Sequence, residues 1–129
     1  MIPALWLTLA LASTAAAPTN PLRLSDGGRT DYAIVVRRDA TPTERHAAEE
    51  LGHFLQEITA APFPVREVES AAQAPAASIR VGPGAAEGVI TAAEIDRLGP
   101  EGYVLRTHGP TLAVAGGRPR SYCPAGCSG

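Results

Sequence analysis

The chain has 129 residues, which suits one hydrophobic core and is too short to hold a small domain together with a catalytic barrel. Its 13 acidic and 11 basic residues give a net charge of −2, so we expect no nucleic-acid partner and no attraction to an anionic membrane. Aromatic residues make up only 5% of the chain, which argues against an extended surface for stacking sugars or bases.

The first 17 residues have the order of segments found in an export signal. An apolar run from Ala4 to Ala12 is followed by small residues up to Ala17. The run is too short to span a bilayer, and the abrupt change to polar sequence at Pro18 disfavours a buried helix of the fold. We therefore predict a signal peptide over residues 1–17, a linker over residues 18–30 and a secreted or periplasmic protein.

The predicted domain, residues 31–120, begins with a strand and an amphipathic helix. Residues 32–37, YAIVVR, are β-branched and follow a turn-forming stretch, which predicts a strand inside the sheet. Thr41, Pro42 and Glu44 then form a capping pattern that predicts a helix start, and Pro62 marks its end. The helix face expected to lie under the sheet is apolar at Ala47, Ala48, Leu51, Phe54, Leu55 and Ile58.

The remaining elements are short. Thr91 and Glu94 repeat the capping pattern and predict a second helix that ends near Leu98. The Ala-rich stretch 70–77 has too little apolar bulk to pack and is predicted to be a loop. Alternating segments predict further strands at 64–68, 78–81, 103–107 and 111–115, the last two as a hairpin. The sequence thus predicts an α+β fold, a small mixed β-sheet with one main amphipathic helix and a short second helix packed on one face.

The first helix carries the arrangement closest to a metal site. His46 and Glu50, and likewise Glu49 and His53, are four residues apart, so imidazole and carboxylate could share an ion. The order differs from the H-E-x-x-H motif and no distant third ligand has a local signature. A solvated helix face with charge pairs is the better interpretation, and no metal is predicted.

The glycine-rich turn at residues 82–84 resembles part of a phosphate-binding loop. Pro83 removes one of the backbone amides that such a loop needs, and no Gly-Lys-Ser/Thr sequence follows. We therefore predict a simple turn and no cofactor. Acidic residues show no pairing typical of a glycosidase, and no serine stands in a nucleophile elbow, so no catalytic residue is predicted.

The C-terminal residues 121–129, SYCPAGCSG, lose the apolar periodicity of the preceding chain. Cys123 and Cys127 could close a small disulfide in an oxidising compartment, or remain unpaired. A shift of reading frame or an early stop would produce such a break in pattern. We interpret this stretch as an irregular tail that is foreign to the fold.

Five ordered segments of the chain carry a resemblance to a known family: residues 40–45, 47–51, 79–82, 99–103 and 115–120. They resemble the N-terminal domain of α-glucuronidases, and the layout is similar to that of the N-terminal domain of β-N-acetylhexosaminidases. The resemblance implies a sheet with helices on one face and catalytic carboxylates in a following (β/α)₈ barrel, so no catalytic residue is carried over to this chain. In the family, a glycine and an apolar helix lead into the barrel where this chain has Ser121.

Two functions follow as hypotheses. The first is a non-catalytic N-terminal module of a secreted glycoside hydrolase that degrades polysaccharides such as xylan, here truncated. Its partner would be the absent barrel of the same polypeptide, and it should expose an apolar patch. The alternative is a stand-alone small secreted carbohydrate-binding protein, in which Arg118 and Arg120 would bind acidic sugars.

Overall fold

The computed structural model describes residues 21–117, which form a five-stranded sheet, two α-helices and a short 3-10 turn. The predicted signal peptide, Arg118, Arg120 and the tail with Cys123 and Cys127 lie outside the described residues. The elements are β1 (Ala33–Arg37), α1 (Pro42–Thr59), β2 (Val65–Val68), the 3-10 turn (Ala71–Gln73), β3 (Ser78–Val81), α2 (Ala92–Arg97), β4 (Tyr103–His108) and β5 (Thr111–Gly116).

The sheet has the strand order β2-β1-β3-β5-β4. The pairs β1–β2, β1–β3 and β3–β5 are parallel, whereas β4 and β5 form an antiparallel hairpin. The predicted α+β class with a mixed sheet, one main helix and a short second helix is therefore confirmed. Because β1, β3 and β5 are parallel, their carboxyl ends meet at one edge of the sheet.

Helix α1 begins where the sequence predicts. The Thr41 hydroxyl accepts a hydrogen bond from the Glu44 amide, and the Thr41 amide donates to the Glu44 carboxylate. Two backbone amides that have no carbonyl partner at the helix start are therefore hydrogen-bonded. The helix ends at Ala60, which is left-handed with a φ of 59° and donates its amide to the Gln56 carbonyl. Both ends are thus fixed by local hydrogen bonds.

The face of α1 that meets the sheet is narrower than predicted. Ala48 and Gly52 are buried, but Phe54 is 54% and Ile58 80% exposed, so the expectation that both lie under the sheet was wrong. The periodicity of the sequence shows the width of the apolar stripe on α1. The sheet covers only the part of this stripe that lies above β1 and its neighbours β2 and β3. The core on this face consists of Tyr32, Ile34, Val36, Ala48, Ala61, Phe63, Ile79 and Val81.

Helix α2 packs on the opposite face of the sheet. Ile95 lies in a second cluster with Ala113 and Ala115 of β5, while Leu112 packs into the core beside α1. Neighbouring residues of a strand point to opposite faces, so the two helices lie on different sides. The sequence led us to expect both on one face; hydrophobic periodicity contains no information that would distinguish the two arrangements.

Part of the predicted linker is packed on the domain. Leu22 and Leu24 contact the core beneath α1, and the Thr30 hydroxyl donates a hydrogen bond to the Leu24 carbonyl. The described residues 21–30 therefore contribute apolar contacts to the fold. No helix within residues 21–117 has both the length and the apolar character needed to cross a membrane.

Candidate functional site

A cleft of about 820 Å³ lies at the carboxyl ends of β1, β3 and β5, beside the N-terminus of α1. In sheets of this kind ligands bind outside the carboxyl ends of parallel strands, at the point where connections diverge. The walls combine apolar residues with a few polar ones, as small-molecule sites do. Its lining includes Arg37, Asp39, Glu44, Ala47, Val81, Val114 and Gly117.

Arg37, a positively charged residue that lines the cleft, is already paired with carboxylates. Its Nε atom lies 2.9 Å from Asp39 Oδ1 and its Nη1 atom 3.8 Å from Glu87 Oε2. A Cβ atom at Gly84 would come within 2.7 Å of Arg37 Cδ, so glycine is needed for the side chain to lie against this loop. The guanidinium is thus held in place at the rim of the cleft.

The acidic residue on the helix side, Glu44, serves the helix cap. Its carboxylate accepts the Thr41 amide at 2.8 Å. Gly82, with a φ of +92°, passes so close that a Cβ there would lie 2.9 Å from Glu44 Cδ. The turn at residues 82–84 is therefore shaped around Glu44 and Arg37, and both cleft carboxylates, Asp39 and Glu44, have structural partners.

A carboxyl group with a strongly shifted pKa lies away from the cleft, between α2 and β4. Arg106 contacts Glu94 through two bonds, Nη2–Oε1 at 2.6 Å and Nη1–Oε2 at 3.0 Å, and also donates to the Val89 carbonyl at 3.2 Å. The Arg106 guanidinium and hydrogen bonds from Thr91 lower the pKa of Glu94 to about 2. This pair anchors α2 and its preceding loop to the hairpin.

The histidines of α1 form separate surface pairs. His46 Nε2 lies 3.5 Å from Glu50 Oε1, and His53 Nε2 lies 3.3 Å from Glu57 Oε1, so His53 pairs with Glu57 and not with Glu49. Within residues 21–117, no three histidine, cysteine or acidic side chains come together as a group that could hold a metal ion.

A second surface feature is an apolar region beside α1, which we call the open apolar face: Phe54 and Ile58 of α1, Tyr103 and Leu105 of β4, and Val114 of β5. Tyr103 is 74% and Leu105 60% exposed. Leu105 is paired with Val114, so the two side chains share a face of the sheet. Ala47 of α1 and Val114 of β5 line the same cleft, so this side of α1 faces β5.

Comparison of the chain with protein-family models, curated proteins and solved structures finds no significant match. The sequence analysis did not predict the cleft, because its lining residues come from four separate segments of the chain. Arg118 and Arg120, the ligand residues suggested by the sequence, come one and three positions after Gly117, the last described residue, which lines the cleft.

Proposed function

We propose that this chain is a non-catalytic N-terminal module of a secreted glycoside hydrolase of the α-glucuronidase type. The observation that carries the proposal is the open apolar face. Large apolar side chains that stay exposed side by side on a folded domain are typical of a surface that another part of the protein covers. The resemblance of the sequence to α-glucuronidases implies that this other part is a (β/α)₈ barrel.

The dimensions of the open apolar face support a covering helix. Helix α1 lies over β1, and β5 is two strands farther along the sheet, about 9.6 Å away at 4.8 Å per strand. Helices pack side by side at about 8–10 Å. One amphipathic helix placed beside α1 would therefore cover Phe54, Ile58 and Leu105 together, as expected for the apolar helix that leads into a barrel.

The engaged carboxylates of the cleft agree with a module that leaves the chemistry to another domain. A glycosidase needs two carboxyl groups that face a shared substrate, one as acid and one as base or nucleophile. Here Asp39 is paired with Arg37, and Glu44 accepts the Thr41 amide. Secretion or export to the periplasm belongs to the same proposal and rests on residues 1–17.

Sequencing the gene through and beyond the codon for Gly129, with translation in all three frames, tests this function. We expect a second frame to continue with an apolar helix and then strand–helix units sufficient for a (β/α)₈ barrel. Short unrelated frames would contradict the proposal. If the second frame is found, the chain extended by its helix should bind less 8-anilinonaphthalene-1-sulfonate than the 129-residue chain, because the helix covers the open apolar face.

A stand-alone carbohydrate-binding protein is the second candidate, and the cleft favours it. Gly117 lines the cleft, and Arg118 and Arg120 follow within three residues. Arginine binds carboxylates through two parallel hydrogen bonds. Calorimetry with glucuronic acid should then show binding that Arg118→Ala abolishes and the exposed control Arg23→Ala retains. Absence of binding by the unaltered protein would exclude this candidate.

A further inference from the structure

Strand β4 forms one edge of the sheet, and within residues 21–117 no other strand pairs with its outer side. Natural proteins protect such edges with charged side chains, most often lysine, or with proline, bulges or very short strands. The sequence of β4, YVLRTH, has six residues without proline or lysine, and its charged residue, Arg106, is paired with Glu94 within the chain. Exposed edges of this kind pair readily with another strand.

Hydrogen-bonded and non-hydrogen-bonded pairs alternate along the hairpin, and this alternation shows which residues of β4 direct their backbone N–H and C=O groups toward the free edge. The Gly117 amide donates to the Gly102 carbonyl at 2.7 Å, which marks residues 102 and 117 as a hydrogen-bonded pair. Such pairs alternate along an antiparallel ladder. Residues 104, 106 and 108 therefore bond to β5, and Tyr103, Leu105 and Thr107 direct their amides and carbonyls to the free edge.

We propose that this edge binds a second copy of the chain, through antiparallel pairing of β4 with β4 of the other copy. A two-fold axis at Leu105 places Leu105 opposite its own counterpart and Tyr103 opposite Thr107. This register uses all three outward-facing residues of each strand, with two hydrogen bonds per pair. The two five-stranded sheets then become one continuous sheet.

The side chains fit this register. Leu105 and Tyr103, which are exposed in the single chain, gain apolar neighbours across the two-fold axis. The strand's permanent charge, Arg106, lies opposite Val104 of the other copy and is neutralised by Glu94. Shifting the axis by one residue toward the turn would place Arg106 opposite itself, which like-charge repulsion disfavours.

Cysteine cross-linking tests the register directly. Directly opposed residues of a hydrogen-bonded pair have Cα atoms about 5.5 Å apart, within the range of a disulfide. In a background of C123S and C127S, L105C should form a disulfide-linked dimer on mild oxidation. T107C is the matched control, since it is exposed on the same strand but its counterpart would lie about 14 Å away at 3.4 Å per residue.

Sedimentation velocity of the full chain from micromolar to near-millimolar concentration should show the mass rising from 13.3 kDa toward twice that value. Leu105→Pro should remove the association and leave the circular dichroism spectrum unchanged, because the Leu105 amide does not bond to β5. A monomeric mass at all concentrations, or equal cross-linking of L105C and T107C, would overturn the proposal. Both tests concern the edge of the sheet and are independent of the gene sequence beyond Gly129.

Discussion

The two halves of the sheet differ in how they are covered. In the parallel half, β1 is buried from Ala33 to Val36, with side chains packed on both faces. In the hairpin half, β4 alternates between exposed and half-buried residues, because α2 covers one face only. Continuous apolar sequence thus marks the strand that is enclosed on both sides, as is usual for parallel strands.

The open face of the hairpin has an unusual composition. A strand with one solvated face normally places polar residues there, yet β4 places Tyr103 and Leu105 on its open side. Among the described residues, this mismatch is the observation on which the proposed contact with a further part of the protein rests. Strand β1 of the parallel half shows no such mismatch, since Ala33 to Val36 are all buried.

The largest contrast is expected between core truncations in the two halves. Ile34→Ala should lower the free energy of unfolding by about 2–5 kcal/mol, because Ile34 is fully buried beneath α1 and a cavity would remain. Leu105→Ala should change it by less than about 0.5 kcal/mol in dilute solution, since the side chain is exposed. Urea unfolding of both variants measures the difference, and equal losses would refute the contrast.

The turn at the cleft offers the next largest effect. Gly82→Ala should destabilise by about 1–3 kcal/mol, since the positive φ is strained for alanine and its Cβ would displace Glu44 from the helix cap. Gly88→Ala is the matched control, because its φ of +88° is similar and nothing lies within 4 Å of the added atom. Thermal unfolding should show a greater loss for Gly82→Ala; equal losses would mean that the contact with Glu44 is unimportant.

Helices α1 and α2 each begin with a capping box, so the same substitution can be compared in the two halves. Thr41→Ala and Thr91→Ala each remove a hydroxyl that accepts a Glu amide, so each should cost about 0.5–2 kcal/mol. Thr91→Ala should also raise the pKa of Glu94, which the Thr91 hydrogen bonds help to lower. Urea unfolding and carboxyl titration by NMR separate the two effects, and an unchanged Glu94 titration would count against the assigned hydrogen bonds.

The pH dependence of the hairpin half should be the smallest effect, because the Glu94–Arg106 pair is partly solvated. The folded-state pKa of Glu94, about 2, lies below its ordinary value of 4.5. The pair therefore stabilises the protein fully above pH 4.5, and this stabilisation is lost as the pH falls toward 2. Melting temperatures should fall less steeply over this interval for Glu94→Gln than for the unaltered chain; parallel curves would contradict the assignment.

Much of the local structure could be predicted from the sequence. The starts of α1 and α2 follow from Thr41 and Thr91, whose capping partners are only three residues away. Both strands of the hairpin follow from alternation around Gly109 and Pro110. The 3-10 turn at residues 71–73 was missed, because a run of alanine and glutamine has no pattern that distinguishes it from a loop.

The candidate sites were less predictable. Val81, Glu44 and Val114 meet in the cleft although they lie on three separate elements, and no spacing in the sequence connects them. An exposed apolar patch was expected, but the periodicity of α1 placed Phe54 and Ile58 in the core. Only the position of α1 above β1 shows that these side chains remain exposed.

The sequence by itself determined the α-helices, the strands, the starts of both helices and the α+β character, because caps, turns and periodicity act between residues a few positions apart. The tertiary structure alone decided the strand order, the placement of α2 opposite α1, the cleft and the open apolar face. These depend on contacts between distant residues, such as Ile79 with Leu112 and Ile34 with Val65. The free energy of these contacts comes from the apolar surface that the helices and strands bury when they pack together.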